Sequence, residues 1–124
     1  MDLLEGGELF DVIQSKGAFN LVGACKIMKQ IFEGIDCMAK KNIVHRDLKP
    51  ENLLLRYKDK NLDDNEVVIC DFGLASKGSN ECDPLMKKCG SPGYIAPEIL
   101  RQDENEEEFE FYLDVKADIF SAGC

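Results

Sequence analysis

The sequence predicts an α+β fold that is mainly helical and carries one small β-hairpin. The first observation is a stripe of apolar residues spaced three or four apart, which predicts an amphipathic helix with one buried face. Its members are Ala24, Ile27, Met28, Ile31, Phe32, Ile35 and Met38. The second is a pair of short apolar runs, at 53–55 and 67–70, separated by a polar stretch, which predicts two strands and their loop. The 124 residues suffice for one modest domain.

The charge balance is acidic, with 24 Asp and Glu against 15 Lys and Arg and a formal net charge of −9. This excess argues against nucleic acid as a partner and favours a partner that carries basic residues. An ordinary solvated surface explains the same charge equally well. No run of about twenty apolar residues occurs, so we expect no membrane span.

The cysteine pattern indicates an intracellular protein. The six cysteines are scattered, and none forms a Cys-x-x-Cys pair, so neither a zinc site nor a disulfide framework is expected. Reduced thiols that fill small apolar spaces fit this spacing best. The N-terminus also lacks the positive start and apolar stretch of a secretion signal. We therefore expect a cytoplasmic location, with the nucleus as the alternative.

The other elements follow in chain order. A short helical pattern runs from Glu8 to about Ser15 and stops at Lys16-Gly17. Asn20 is a typical N-cap for the long amphipathic helix, which we expect to end near residues 40–42. The polar stretch 56–66 is predicted to be the hairpin loop.

The C-terminal part of the sequence alternates long loops with short helices. Residues 73–97 are rich in Gly, Ser, Pro and Asn and predict a long loop, which in a compact domain is usually functional or mobile. Short helices are expected over 95–101 and from Leu113 onward. The intervening acidic block, 102–110, is typical of a solvated segment.

Chemistry-bearing residues concentrate at 45–52, which read His-Arg-Asp-Leu-Lys-Pro-Glu-Asn. The segment places a candidate proton acceptor, Asp47, beside a compact cation, Lys49, and an amide oxygen ligand, Asn52. Downstream lie Asp-Phe-Gly at 71–73 and Ala-Pro-Glu at 96–98. The predicted hairpin places Asn52 and Asp71 at the same end, where two oxygen ligands could share a Mg²⁺ ion. Each residue alone could be an ordinary surface residue, but the ordered combination could not plausibly arise by chance.

In this order the motifs resemble the catalytic core of a protein kinase. The resemblance implies a kinase-like fold in which residues 1–124 form a partial domain. That part would run from the hinge between the two lobes to the start of the central helix of the large lobe, without the small lobe and the C-terminal helices. The runs at 6–11 and 89–94 resemble most closely the calcium/calmodulin-dependent kinase group.

The resemblance also implies a role for each catalytic residue. Asp47 would accept the proton of the substrate hydroxyl, and Lys49 would neutralise charge on the transferred phosphate. Asn52 and Asp71 would hold Mg²⁺, and Gly73 would let the backbone turn sharply after the metal ligand.

ATP would bind through residues of the hinge and of the hairpin. Backbone groups of Asp2 and Leu4 would meet the adenine edge, and Leu54 belongs to the same cofactor-binding set. Glu8 would face the ribose and a basic residue of the substrate, although a carboxylate at a helix start is the simpler explanation. Glu51 would likewise meet a basic substrate residue near the acceptor.

The segment 45–52 is called the catalytic stretch below. Several residues in it and around it also receive roles from the resemblance. His45 would pack in the core near Phe72 and donate a hydrogen bond to the backbone. Ser91 would bond near Asp47 and Lys49 and, together with Lys49, would select serine or threonine as the acceptor. Asp118 would anchor the backbone of the catalytic loop, and Glu98 would be buried and pair with an arginine of the later helices.

One departure concerns the segment before residue 89. Relatives often carry a phosphorylatable threonine there, but Lys87 and Lys88 occupy the place in this sequence. A lysine cannot pair with Arg46, which in such kinases binds a phosphorylated residue. The usual phosphorylation switch is therefore not expected.

The sequence shows neither a glycine-rich phosphate loop nor the strand lysine that holds ATP phosphates. We therefore expect a serine/threonine kinase by family, acting with ATP and Mg²⁺ on protein substrates, but an isolated chain that is inactive. A calmodulin-type regulator would act outside this chain. The alternatives are a truncated non-catalytic product that sequesters kinase partners and a pseudokinase fragment.

Overall fold

The computed structural model describes residues 3–17, 20–77, 89–100 and 115–124, apart from the side chain of Lys16. Four helices and four short strands lie in these ranges, and they confirm the predicted α+β class. The helices are α1 (Leu9–Lys16), α2 (Leu21–Ala39), α3 (Pro97–Leu100) and α4 (Lys116–Gly123). The strands are β1 (Ile43–Val44), β2 (Leu53–Leu55), β3 (Val67–Ile69) and β4 (Ser76–Lys77).

Helix α2 is the central element of the core. Its N-cap is Asn20, as predicted, whose side-chain oxygen accepts a hydrogen bond from Gly23 N at 2.7 Å. The buried side chains of α2 pack with residues of α1, the catalytic stretch and β2 into one hydrophobic cluster. Its fully buried members are Leu9, Ile27, Ile31, Ile35, Met38, Leu48, Leu53 and Leu55.

The prediction for Phe32 was wrong, because this side chain is 43% exposed. Ile27, Ile31, Ile35 and Met38 define the centre of the buried face. Phe32 follows Ile31 by one residue, which turns its side chain about 100° away around the helix axis.

The predicted hairpin is formed by β2 and β3, which pair antiparallel with Leu53 opposite Ile69 and Leu55 opposite Val67. Its loop contains a 3₁₀ turn at Leu62–Asp64 and rests on α2. Gln30 fixes this contact, since its side chain donates to Asn65 O at 3.1 Å and accepts from Val67 N at 2.8 Å. The hairpin is therefore held against the main helix of the core.

Two backbone pairings carry no sequence signal and were not predicted. The segment before α1 extends the hairpin, because Gly6 N donates to Leu55 O at 3.0 Å and Leu55 N donates to Gly7 O at 2.9 Å. A Cβ at Gly6 would lie 2.5 Å from Leu55 O, so only glycine allows this approach. Strand β1 pairs with β4, with Val44 opposite Ser76.

Helix α3 begins at Pro97, two residues after the predicted start, and its described part ends at Leu100. Helix α4 is described from Lys116, and the predicted helix start at Leu113 lies outside the described residues. Predictions for the acidic block, 102–110, and for residues 78–88 lie outside the described residues. Within the described part of the chain, no helix is long and apolar enough to span a membrane.

Two predictions of burial were wrong. Glu98 is exposed, so its carboxylate needs no buried partner here. Cysteine was expected to fill small apolar spaces, but Cys25, Cys37 and Cys124 are exposed. Cys70 and Cys89 are partly buried.

Candidate active site

The catalytic stretch is linked to the segment after β3 through His45. Its side chain is fully buried, and its ring lies 4.9 Å from the ring of Phe72 in an edge-to-face arrangement. The ring nitrogen Nε2 lies 2.9 Å from Cys70 O, a hydrogen bond in which the ring is the donor because a carbonyl can only accept. The structure thus confirms that His45 packs in the core, where it holds two parts of the site together.

The backbone of the same stretch is held by Asp118 of α4, as predicted. Its carboxylate accepts from His45 N at 2.7 Å and from Arg46 N at 2.9 Å. Arg46 has a positive φ of 68°, a conformation that costs free energy for a non-glycine residue. Burial raises the pKa of Asp118, while the two backbone N–H groups oppose that rise. Asp118 therefore stabilises an unusual backbone conformation just before Asp47.

The carboxylate of Asp47 is bound through both of its oxygens. Oδ1 accepts from the hydroxyl of Ser91 at 2.7 Å. Oδ2 accepts from Lys49 Nζ at 3.0 Å and from Asn52 Nδ2 at 3.2 Å. Burial alone would raise the pKa of Asp47, but the hydrogen bonds from Ser91 and Lys49 outweigh it and hold the pKa below its ordinary value. The side chain is therefore ionised and fixed in orientation at neutral pH.

Lys49 is the cation of the site. Its ammonium group donates to Ser91 Oγ at 2.7 Å as well as to Asp47. The hydrogen bond to Asp47 raises the pKa of Lys49, partial burial opposes the rise, and the charges of Asp47, Glu51 and Asp71 add to it. Lys49 is thus charged and surrounded by acids at one edge of the hairpin.

Asn52 and Asp71 lie at the same end of the hairpin, as predicted. Cys70 N donates to Asn52 O at 2.9 Å, which places the next residue, Asp71, beside Asn52. The amide nitrogen of Asn52 donates to Asp47 O at 2.8 Å, so the amide oxygen remains as the group that a metal ion would use. The backbone pairing therefore makes the two candidate ligands neighbours, and the Asn52 side chain contacts Asp47.

The sharp turn after β3 occurs at Asp71 and not at Gly73, which corrects the prediction. Asp71 has the left-handed φ of 59°, whereas the φ of Gly73 is not in that region. The Asp71 carboxylate accepts from Gly73 N at 3.2 Å, and this local hydrogen bond stabilises the turn. Aspartate tolerates this conformation better than most residues because its short side chain can bond to the nearby backbone.

Of the residues expected to bind ATP and substrate, Glu8 and Leu54 are paired beside this edge. Glu8 is exposed at the N-cap of α1 without a side-chain capping bond, and its backbone forms a bridge with Leu54. Burial raises the pKa of the Cys70 thiol, and the charges of Asp71 and Glu8 add to the rise, which places Glu8 near the same site. Leu4 and Leu54 are partly buried, and Asp2 lies outside the described residues.

Glu51 differs from the other acids of the site. One of its carboxylate oxygens, Oε2, is buried and has no hydrogen-bond partner among the described residues. A buried oxygen without a donor is energetically costly, so this atom would bind a donor strongly if one approached.

Sequence reasoning missed how the turn that carries Ser91 is positioned. Gly90 has a φ of 124°, and a Cβ there would lie 2.9 Å from Arg46 O. At the other end of the turn, Ser121 Oγ donates to Tyr94 O at 2.7 Å. The Gly-Ser-Pro-Gly sequence signals a turn, but it does not reveal what the turn contacts.

The arrangement combines a fixed carboxylate, a neighbouring ammonium group, a hydroxyl and a pair of oxygen ligands at one edge. These groups can orient a hydroxyl nucleophile, neutralise phosphate charge and hold a Mg²⁺ ion, which are the requirements of a phosphoryl-transfer site.

Comparison with known proteins identifies the family. The model of the protein kinase domain matches residues 1–124, so the chain belongs to the protein kinase family. Myosin light chain kinase A of Dictyostelium discoideum is 43% identical over 112 residues, which cover 90% of this chain and 37% of that protein. Calcium-dependent protein kinase 5 of Plasmodium falciparum is 46% identical over 123 residues, which cover 99% and 19%.

A third relative agrees with the predicted group. Calcium/calmodulin-dependent protein kinase type 1 of Caenorhabditis elegans is 42% identical over 102 residues, which cover 82% of this chain and 28% of that protein. These similarities confirm the resemblance to the calcium/calmodulin-dependent kinase group. The chain spans between 19% and 37% of the length of these three relatives.

Proposed function

We propose that this chain is the catalytic part of a serine/threonine protein kinase, which transfers the γ-phosphoryl group of ATP to serine or threonine hydroxyls of proteins. The observation that carries the proposal is the bound carboxylate of Asp47. It accepts hydrogen bonds from Ser91, Lys49 and Asn52, within a stretch whose backbone is fixed by Asp118.

Asp47 is the candidate proton acceptor. Its three donors favour the ionised form, so the carboxylate can orient the hydroxyl of the substrate and accept its proton. These donors also hold the side chain in one direction, which reduces the ordering that the reaction must impose. Lys49 lies 3.0 Å from Asp47 and can neutralise charge on the transferred phosphate.

Asn52 and Asp71 are the candidate Mg²⁺ ligands. Magnesium prefers oxygen ligands and usually binds one or two protein side chains together with substrate phosphates. An amide oxygen and a carboxylate at the same hairpin end fit this preference. When bound, Mg²⁺ would neutralise charge on the phosphate oxygens.

The substrate is proposed to carry basic residues near its acceptor. Glu8 is exposed at the edge of the site, and Glu51 has a buried oxygen that accepts no hydrogen bond from the described residues. A lysine or arginine of the substrate would donate to these carboxylates. Leu4, Leu54 and the backbone of Asp2 are proposed to contact ATP.

Regulation by calcium is proposed from the relatives. The relatives include a calcium/calmodulin-dependent kinase and a calcium-dependent kinase, so we propose a calmodulin-type regulator that acts outside this chain. An intracellular location, in the cytoplasm or nucleus, is proposed because the cysteines are scattered and contain no Cys-x-x-Cys pair.

Replacement of the proton acceptor tests the proposed function. In the full-length protein, Asp47→Asn is expected to lower kcat for a basic serine peptide by about 10²–10⁴-fold, because an amide cannot accept the proton. Transfer of radiolabelled phosphate from Mg-ATP would measure it. The matched control is Asp36→Asn on the exposed side of α2. Unchanged turnover by Asp47→Asn, in a protein that still unfolds cooperatively, would refute the assignment.

A further inference from the structure

Ser91 lies in the middle of a hydrogen-bonded chain that ends on the candidate base. Its hydroxyl oxygen accepts from Lys49 Nζ at 2.7 Å, and its proton is donated to Asp47 Oδ1, also at 2.7 Å. The residue is partly exposed, and the next two residues of its turn, Pro92 and Gly93, are exposed. The same hydroxyl thus contacts both catalytic side chains and borders on solvent.

We propose that Ser91 is itself a regulatory phosphorylation site, at which a phosphate group switches the catalytic carboxylate off. This inference rests on the proposed function. A second protein kinase would act in trans: a bond forms between Ser91 Oγ and the γ-phosphorus of ATP, the bond from that phosphorus to the β–γ bridging oxygen breaks, the hydroxyl proton passes to the base of the modifying kinase, and ADP leaves.

The first consequence of such a phosphate is electrostatic. Phosphoserine carries a charge of about −1.5 to −2 at pH 7 and would stand beside the carboxylate of Asp47. The modification also removes the hydroxyl proton, so Asp47 Oδ1 loses the donor that it has at 2.7 Å. A repelling charge and a lost donor both remove what holds the Asp47 carboxylate in its present orientation.

The second consequence is competition for the cation. Lys49 donates to both Ser91 Oγ and Asp47 Oδ2. A phosphate on Ser91 offers three strong acceptor oxygens at the position of the present hydroxyl, so it would draw the ammonium group away from Asp47. The cation would then be unable to serve the phosphate of a bound nucleotide.

The third consequence is steric. The turn lies close against the catalytic stretch, because a Cβ at Gly90 would lie 2.9 Å from Arg46 O. Its far end is held by the hydrogen bond from Ser121 Oγ to Tyr94 O. A phosphate therefore has to fit into a gap bridged by two 2.7 Å hydrogen bonds or to displace the turn. Either change disrupts the orientation of Asp47.

The experiment places phosphoserine at position 91 of the full-length protein by genetic encoding. We expect kcat for a basic serine peptide to fall by about 100-fold or more, since general-base catalysis contributes at least that factor. Treatment with a phosphatase is expected to restore the rate of the unmodified protein. The matched control carries phosphoserine at exposed Ser15 of α1 and is expected to keep the unmodified rate.

A charge effect is distinguished from mere loss of the hydroxyl by Ser91→Ala. This variant loses one donor without gaining a negative charge, so its kcat is expected to stay well above that of the phosphoserine-91 protein. Equal losses of kcat in Ser91→Ala and in the phosphoserine-91 protein would overturn the electrostatic mechanism. Loss that a verified dephosphorylation does not reverse would likewise count against the switch.

Failure of this inference is separable from failure of the proposed function. Unmodified protein without phosphate transfer would contradict both. Active unmodified protein whose phosphoserine-91 form is equally active would contradict the switch alone. Mass spectrometry of the protein from its native cells is expected to find phosphate on Ser91, and its absence under all growth conditions would overturn a natural regulatory role.

Discussion

At the scale of single residues, the state of Asp47 is decided by a balance between burial and hydrogen bonding. The residue is only 9% exposed, and burial alone would favour the neutral carboxyl group. The Ser91 hydroxyl and the Lys49 ammonium group reverse this preference, so the pKa is lowered. A carboxylate with a lowered pKa retains its charge, and hence its capacity to accept a proton, down to more acidic pH.

This balance predicts the effect of Ser91→Ala on the pH dependence of activity. Removal of the hydroxyl takes away a hydrogen bond that favours the ionised form, so the pKa of Asp47 is expected to rise. The acidic limb of the kcat–pH profile should then move to higher pH, with activity lost earlier as pH falls. Ser15→Ala on exposed α1 is the control, and an unmoved limb in Ser91→Ala would refute this account.

At the scale of elements, α2 determines where the hairpin and the catalytic stretch can lie. Its buried residues pack under Leu48 and Leu53, and its Gln30 side chain fixes the hairpin loop. Leu48 is 2% exposed and stands between Asp47 and Lys49 in the sequence. The apolar face of one helix therefore supports a segment whose neighbouring side chains carry the chemistry.

Two adjacent positions on α2 test how far this face extends. Ile31→Ala is expected to lower the free energy of unfolding by about 2–5 kcal/mol, because it leaves a cavity in the core. Phe32→Ala is the matched control, and its loss should be under about 1 kcal/mol because the ring is largely exposed. Urea unfolding of both proteins measures the difference. Equal losses would contradict the burial of Ile31 and the exposure of Phe32.

Long periodic elements could be predicted from the sequence, whereas short pairings could not. The stripe of α2 repeats over several turns, and the two runs of the hairpin flank a clear polar loop, so both gave strong signals. Strands β1 and β4 have two residues each, too few for any period. The left-handed turn at Asp71 is a similar case, because a neighbouring glycine drew the prediction to the wrong residue. The site residues were recognised from their motifs, while the depth of burial of Glu98 was not.

At the scale of the whole molecule, the catalytic stretch is held by segments far away in the sequence. Cys70 and Phe72 contact the His45 ring, and Ser91 contacts Asp47. The carboxylate of Asp118 in α4 accepts hydrogen bonds from the backbone N–H groups of His45 and Arg46, which lie 73 and 72 positions earlier in the sequence. The stretch itself has little regular structure, so these distant contacts determine its shape. The site consequently depends on the docking of α4 as well as on its own residues.

Two substitutions of Asp118 test whether this residue holds the backbone of the catalytic stretch. Asp118→Ala leaves the backbone N–H groups of His45 and Arg46 buried without an acceptor, and each such group costs about 1–3 kcal/mol. Asp118→Asn keeps one carbonyl oxygen, so its loss of unfolding free energy should be smaller. Urea unfolding at pH 7 measures both, and kcat should fall in the same order, because Asp47 follows the released backbone directly.

The surface variant Asp36→Ala serves as the control for this series. Its carboxylate is largely exposed and pairs with Lys40 one turn along α2, so no measurable change is expected. If Asp118→Ala unfolded at the same urea concentration as the unaltered protein, the carboxylate would not be holding the catalytic stretch. If Asp118→Asn lowered the free energy of unfolding more than Asp118→Ala does, the stabilisation would not depend on the number of hydrogen-bond acceptors at position 118. An ordered loss, in which alanine exceeds asparagine and activity follows stability, would show that one buried carboxylate on a distant helix maintains the backbone on which the proposed base is carried.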